Sequence, residues 1–152
     1  MSESSRLPRT TARAAPENLA ILLREPLRRL NEDLIGRLAA EGHVEVRLPH
    51  GNVFQYLDDA GTRVGVLAER AHLTKQAMAQ LVAHLEAHGY VERVPDPDDG
   101  RAKLVRATAR GRDVFAIVRV YVRETETRIE SALGAARLRE LRGLLEELDA
   151  AL

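Results

Sequence analysis

The sequence predicts a mainly α fold with one small β-hairpin set between helical ends, and three patterns predict it. Leucine recurs at 19, 23, 27, 30, 34 and 38 near the start and at 138, 141, 145, 148 and 152 at the end. Spacings of three and four put each series on a single helical stripe. In the middle, two segments led by Thr62 and Thr74 each carry apolar residues at i, i+3, i+4 and i+7. Behind them the run Pro95-Asp96-Pro97-Asp98-Asp99-Gly100 separates two short segments of strand character.

Taken in order, residues 1–15 bear Arg6, Arg9 and Arg13 without apolar periodicity and are expected to be a disordered basic arm. Residues 16–46 hold the first leucine stripe. Pro26 lies inside it and predicts either a kink or a fresh helix start, because its ring clashes with the preceding turn. Gly42 closes the segment. Pro49 then opens a short helix carrying Val53, Phe54 and Leu57, ended by Asp58-Asp59-Ala60-Gly61. Thr62 caps a helix with Val64, Leu67, Ala68 and Ala71 on one face, and His72-Leu73 make a tight turn. Thr74 caps a second helix that buries Met78, Leu81, Val82 and Leu85 and stops at Gly89.

Tyr90–Val94 reads as a strand and Lys103–Arg106 as its return, with the hairpin tip ending in Arg101. Two short helices joined by a tight turn and followed at once by such a hairpin make a winged helix-turn-helix. A long helix covers 109–133, marked by Val114, Ile117, Val118, Tyr121, Val122 and Ile129, and the second leucine series follows Gly134. The expected organisation is therefore a basic arm at 1–15, an N-terminal dimerisation helix at 16–46, a winged helix-turn-helix at 47–112 and C-terminal dimerisation helices at 113–152. An intramolecular antiparallel helix pair is the plainer account of the two leucine-rich ends. A dimer seam is favoured, since one chain has little left to cover both.

Composition narrows the function. A chain of 152 residues can bury about 68–70% of its unfolded surface, so it needs no metal or disulfide staple. With no cysteine, thiol nucleophiles, Cys-ligated zinc and cysteine redox sensing are excluded, and a reducing cytoplasm is compatible. The longest apolar run is Val114–Val118, far below the ~20 residues of a membrane span. Aromatic residues are 3% of the chain, too few for a base-stacking platform.

Lys+Arg and Asp+Glu are both 23, so any polyanionic partner must be met by a local patch. Residues 61–112 hold nine basic residues against six acidic ones, while the segments on either side are net negative. The positive excess sits in the module that shape nominates.

Turning residues 75–87 at about 100° per residue sets Gln76, Ala79, Gln80, Ala83 and Ala87 opposite the apolar stripe, with Lys75 on the flank. Small alanines let the helix approach a surface closely, glutamine can pair with an adenine edge in a major groove, and Lys75 suits a phosphate. The bland alternative is a solvated face of an ordinary helix. At the wing, Arg101 can enter a minor groove, with Asp99 two residues earlier placed to hold its guanidinium.

The segments VLAER (66–70) and TKQAMAQLVAHLEAHGYVERVPDPDDGRAKLVRATARGR (74–112) resemble the core of the MarR family of bacterial transcription regulators. The resemblance extends over roughly residues 20–150, with Thr74-Lys75-Gln76 matching the helix start and Asp99-Gly100-Arg101 the Asp-x-Arg of the wing. Pro26 and Gly100 depart from the family pattern.

The resemblance implies a homodimer, with Leu19, Leu23, Leu27, Leu141, Leu145 and Leu148 at its interface. The dimer would bind double-stranded DNA at a pseudo-palindromic operator, usually as a repressor. Thr74, Lys75, Gln76, Ala79, Gln80 and Ala83 would contact DNA from the helix, and Asp99, Arg101 and Lys103 from the wing. Two-fold symmetry asks for major-groove contacts ~34 Å apart. The resemblance further implies a small aromatic or phenolic effector bound between the first, second and fifth helices, with Arg47, His50, Phe54 and Phe115 the residues to test. Against that, His50 can simply cap its helix beside Pro49, with both phenylalanines in the core. A cytoplasmic, nucleoid-associated place follows.

Enzyme readings have little to stand on. His84 and His88 lie four apart, but Leu85 stands where a zinc hydrolase helix has glutamate, and no third ligand is evident. The pair is expected to be solvated. Serine occurs only at 2, 4, 5 and 131, Gly61 and Gly65 lack a phosphate-loop lysine, and the carboxylates at 96, 98 and 99 are turn formers. No cofactor, metal or catalytic residue is expected. The alternative is a winged helix that binds protein, because its cationic face has a single lysine.

Overall fold

The computed structural model describes residues 18–152, so the expected arm at 1–15 lies outside the described residues. Six helices and one hairpin follow in order: α1 (Leu19–Ala40), a 3₁₀ turn (Leu48–His50), α2 (Gly51–Tyr56), α3 (Val64–Arg70), α4 (Lys75–Ala87), β1 (Val91–Asp96), β2 (Asp99–Ala107), α5 (Ala109–Leu133) and α6 (Ala135–Ala151). This is the mainly α, single-hairpin class read from the sequence. Among the described residues, no helix is long and apolar enough to cross a membrane. The chain divides into two compact units, one ending at Asp33 and the other running Leu34–Leu152.

In the first unit the Asn18 carboxamide oxygen accepts the Ile21 N–H at 3.0 Å and caps α1. The helix runs on through Pro26 with no fresh start. Arg28 pairs with Glu25 at 3.1 Å and Glu32 at 2.7 Å along one side. Leu19, Leu22, Leu23 and Leu27 are exposed.

The second unit is built around Leu38, Val53, Leu67, Met78, Val82, Leu85, Tyr90, Val105 and Val114, all essentially inaccessible to water. The turn between α3 and α4 places His72 at φ +52°, a left-handed conformation that lets the Leu73 N–H reach the Ala68 carbonyl at 2.9 Å. The hairpin pairs Val91 with Ala107 through Pro95 with Lys103, then shifts register at Pro95/Asp96 so that Asp96 faces Asp99. Proline is tolerated there because the irregularity does not need its missing N–H.

Two local expectations change. Thr62 does not cap α3; Arg63 occupies that position. Thr62 pairs instead as a one-residue third strand with Val105, its N–H donating to the Val105 carbonyl at 2.8 Å and its carbonyl accepting in return at 2.9 Å. Gly61 makes this approach possible, since a Cβ there would come within 3.0 Å of Leu104 Cβ and 3.1 Å of the Val105 carbonyl oxygen. The turn is also shorter than the Pro/Asp run suggests. Only Pro97 and Asp98 lie between the strands, so Arg101 stands within β2 rather than at the tip.

α5 begins where expected, with Thr108 Oγ1 accepting the Gly111 N–H at 3.2 Å. Gly134 at φ +84° ends it, and α6 packs back with Leu138 buried and an Arg142–Glu126 ion pair. Leu133, Leu141, Leu144, Leu145 and Leu152 are exposed, and Leu148 is half-buried.

Candidate nucleic-acid interface

α4 is capped as the sequence asks: Thr74 Oγ1 accepts the Ala77 N–H at 3.1 Å. Met78, Val82 and Leu85 bury its inner stripe. Lys75, Gln76, Gln80, Ala83 and Ala87 are exposed on the other side, and Ala79 is half-buried. The helix therefore offers two amide side chains and one ammonium over a floor of methyl groups, a surface that fits a groove of base edges.

The charges of the module are unevenly committed. Arg63 pairs with Asp96, Arg70 with Asp58, Arg93 with Glu86, Arg106 with Glu92 and Arg110 with Glu45. Arg112 donates to the Ala107 carbonyl at 3.0 Å. Among the described residues, Lys75, Arg101 and Lys103 have no acidic partner within ion-pair distance, and all three are exposed. Among the described residues of this module, the uncommitted cations are thus one at the start of α4 and two on β2.

The expected hold of Asp99 on the Arg101 guanidinium is not present. Asp99 Oδ1 accepts the Arg101 backbone N–H at 3.1 Å instead, because an Asp side chain satisfies the amide two residues on more readily than it reaches a long side chain. The guanidinium that meets the wing carboxylates is that of Arg63, 2.6 Å from Asp96 and 3.9 Å from Asp99. The Asp98 N–H, first, and Arg63 hold the Asp96 carboxyl below its ordinary range. The sequence carries little sign of this pair beyond an arginine directly before a helix and an aspartate at the end of the strand that enters the turn.

The histidine pair is half-buried and hydrogen-bonded rather than freely solvated. His84 Nε2 lies 3.0 Å from the Glu45 carbonyl and His88 Nδ1 lies 2.8 Å from the His84 carbonyl. The His50 ring stacks on His84 with centroids 4.5 Å apart. Among the described residues no group of three or more His, Cys, Asp or Glu gathers to hold a metal. His50 Nδ1 accepts the Arg47 N–H at 3.0 Å, which requires the neutral ring. Burial, and then His84, Arg47 and His88 around it, lower its pKa from 6.5 to about 4.

A histidine that titrates lower when folded costs stability as acid rises, since the unfolded chain then binds the extra proton. Stability is expected to fall as pH drops from about 6.5 to about 4, by up to ~3 kcal/mol for this group. Urea melts of wild type and His50→Gln at pH 7 and pH 4.5 check this. The variant should lose less stability than wild type between them, and equal losses would refute it.

The four residues selected for an effector do not meet at one point. Phe54 is buried and meets Phe115 edge to face at 5.4 Å, His50 sits on His84, and the Arg47 side chain is exposed. Phe115 lines a cavity of about 280 Å³ together with Leu57, Asp58, Asp59, Ala107 and Arg112.

Comparison with known proteins places this geometry. Residues 46–102 match the model of the MarR family. The HTH-type transcriptional repressor Rv2887 of Mycobacterium tuberculosis is 35% identical over 82 residues, 54% of this chain and 59% of that protein. The chain thus spans well under two thirds of the curated relatives it matches. The fold is shared with the S. aureus MepR–DNA complex (TM-score 0.72, 17% identity, 89% of this chain and 98% of that one). It is also shared with CouR from Rhodococcus jostii RHA1 bound to p-coumaroyl-CoA (TM-score 0.66, 22% identity, 87% and 92%). The segment that matches the MarR family model holds the whole helix-turn-helix and the wing as far as Ala102.

Proposed function

We propose that the chain is a sequence-specific double-stranded DNA-binding transcriptional regulator, a repressor that acts by binding rather than catalysis, in the cytoplasm and on the nucleoid. The observation that carries this is the selective freedom of Lys75, Arg101 and Lys103 while five other arginines of the module are paired internally. Lys75 flanks the exposed Gln76/Gln80 face, so phosphate contacts and base readout come from one helix, and β2 supplies the second contact. Thr74, Ala79 and Ala83 complete the helix surface, with Asp99 shaping the wing.

The working form is a homodimer. Support comes from the exposed leucines of both terminal helices, Leu19, Leu23 and Leu27 in one unit and Leu141 and Leu145 in the other, with the half-buried Leu148 beside the latter two. Leucines left exposed along helical stripes are surface that a second copy would cover. The operator is then pseudo-palindromic, with half-sites ~34 Å apart. A small aromatic or phenolic effector is assigned to the cavity at Phe115, where Leu57 and Ala107 supply apolar wall and Arg112, Asp58 and Asp59 supply charge; Arg47, His50 and Phe54 are tested beside it.

Selection of bound duplexes from a random pool tests the whole reading, reporting preference, spacing and symmetry together. Gln76→Ala and Gln80→Ala are expected to shift the recovered sequence at one or two positions per half-site, with discrimination falling by about 1–3 kcal/mol at each. An unenriched pool, with duplex binding that ignores salt, would instead favour the protein-binding winged helix.

A further inference from the structure

We infer that Arg63 is a positioning residue for the wing: through Asp96 it fixes the turn and the backbone of Arg101, the cation offered to DNA. This rests on the DNA-binding reading above and adds to it a residue outside the proposed contacts. A two-stranded hairpin is marginally stable alone. Here it is tied down at its base by the Thr62–Val105 pairing and at its far end by Arg63.

The geometry at the far end is specific. Asp96 Oδ2 accepts from Arg63 Nε at 2.6 Å and from Nη2 at 2.5 Å, while Oδ1 accepts the Asp98 N–H at 2.9 Å. Although it opens a two-residue turn, Asp96 is only 5% exposed. Arg63 Nη2 also stands 3.9 Å from Asp99, whose other oxygen holds the Arg101 N–H at 3.1 Å. One guanidinium therefore sits between the two carboxylates that set the backbone on either side of the turn. It also offsets two negative charges that would otherwise repel phosphate beside Arg101. A planar fork of donors does both; an ammonium at the same place supplies only the charge.

The test uses the full chain and has two arms. In the free protein, amide exchange at Asp98 and Arg101 should quicken about tenfold in Arg63→Gln and in Asp96→Asn, with Val105 unchanged. Unchanged exchange at 98 and 101 overturns the inference. In duplex titrations, both variants should weaken binding about tenfold, the double variant no further than either single, and Arg63→Lys should recover only part.

Asp96→Asn is the deciding variant because it frees Arg63. Binding that holds or tightens would mean that Arg63 grips phosphate itself, and would overturn the positioning role. In an Arg101→Ala background, Arg63→Gln should add little, and a full further drop there overturns it too. A wild-type chain whose duplex binding is flat with salt sinks the DNA-binding reading and, with it, Arg63's place in that reading. The exchange arm decides separately whether Arg63 sets the wing.

Discussion

Lys75→Ala combined with Arg101→Ala is expected to weaken binding to every duplex alike, by roughly a hundredfold or more near physiological salt. The two residues stand on different elements, one opening α4 and one on β2, and neither has an acidic partner among the described residues. Their charge is therefore available without first breaking an internal pair. Arg93 and Arg106 are as basic but are already held by Glu86 and Glu92, at 3.0 Å and 2.8 Å. Alanine at those two positions should change affinity far less.

The salt response separates this from misfolding. Every phosphate that is no longer neutralised flattens the slope of log K against log salt by about 0.9, so the proposed dimer, losing two cations per protomer, should flatten by about 3.6. Weaker affinity with an unchanged slope would show that these side chains do not meet phosphate. Preference among sequences should survive in the double variant, because the glutamines proposed to read bases are untouched.

Much of the fold was legible because it is written in local pattern. The helix at about 109–133 is legible because its apolar stripe is regular and Gly134 ends it at positive φ. Thr74 and Gly89 likewise bracket α4 by capping chemistry that needs no partner far away. What escaped depends on contacts between distant residues. Thr62 looks like a helix cap, yet Val105, 43 positions later, recruits its backbone into the base of the wing. Asp99 and Arg101 look like a pair at their spacing, yet Arg63 reaches the turn first from another element. The histidines at 50, 84 and 88 carry no common signal in sequence, and only the packing of the 3₁₀ turn against α4 stacks them. The exposed face of α4 was visible because a helix face follows from periodicity; the long-range contacts that anchor the hairpin were not.

Gly111→Ala is expected to destabilise the second unit strongly, against the usual preference of helices for alanine. Alanine in a helix is ordinarily favoured over glycine by about 1 kcal/mol, so composition alone predicts a gain. Position 111 reverses the sign. A Cβ there would stand 2.1 Å from the Tyr90 carbonyl oxygen, 3.2 Å from its carbon and 3.4 Å from Ala107 Cβ. The first two are backbone, and that oxygen already accepts from the Thr108 N–H and hydroxyl, each at 3.1 Å. Relief requires the first turn of α5 to move off the strand that leads out of the helix-turn-helix. Overpacking of this kind costs roughly 3 kcal/mol, which lowers the midpoint of a thermal melt by about 10 °C in a chain of this size. Gly36→Ala is the matched control, since Gly36 is an exposed helix glycine with nothing within 4 Å of its would-be Cβ. It should raise the midpoint by a few degrees, with a gain of about 0.5–1 kcal/mol. If both variants stabilise, α5 does not sit on Tyr90 as described, and the route by which α5 is joined to the winged helix is different.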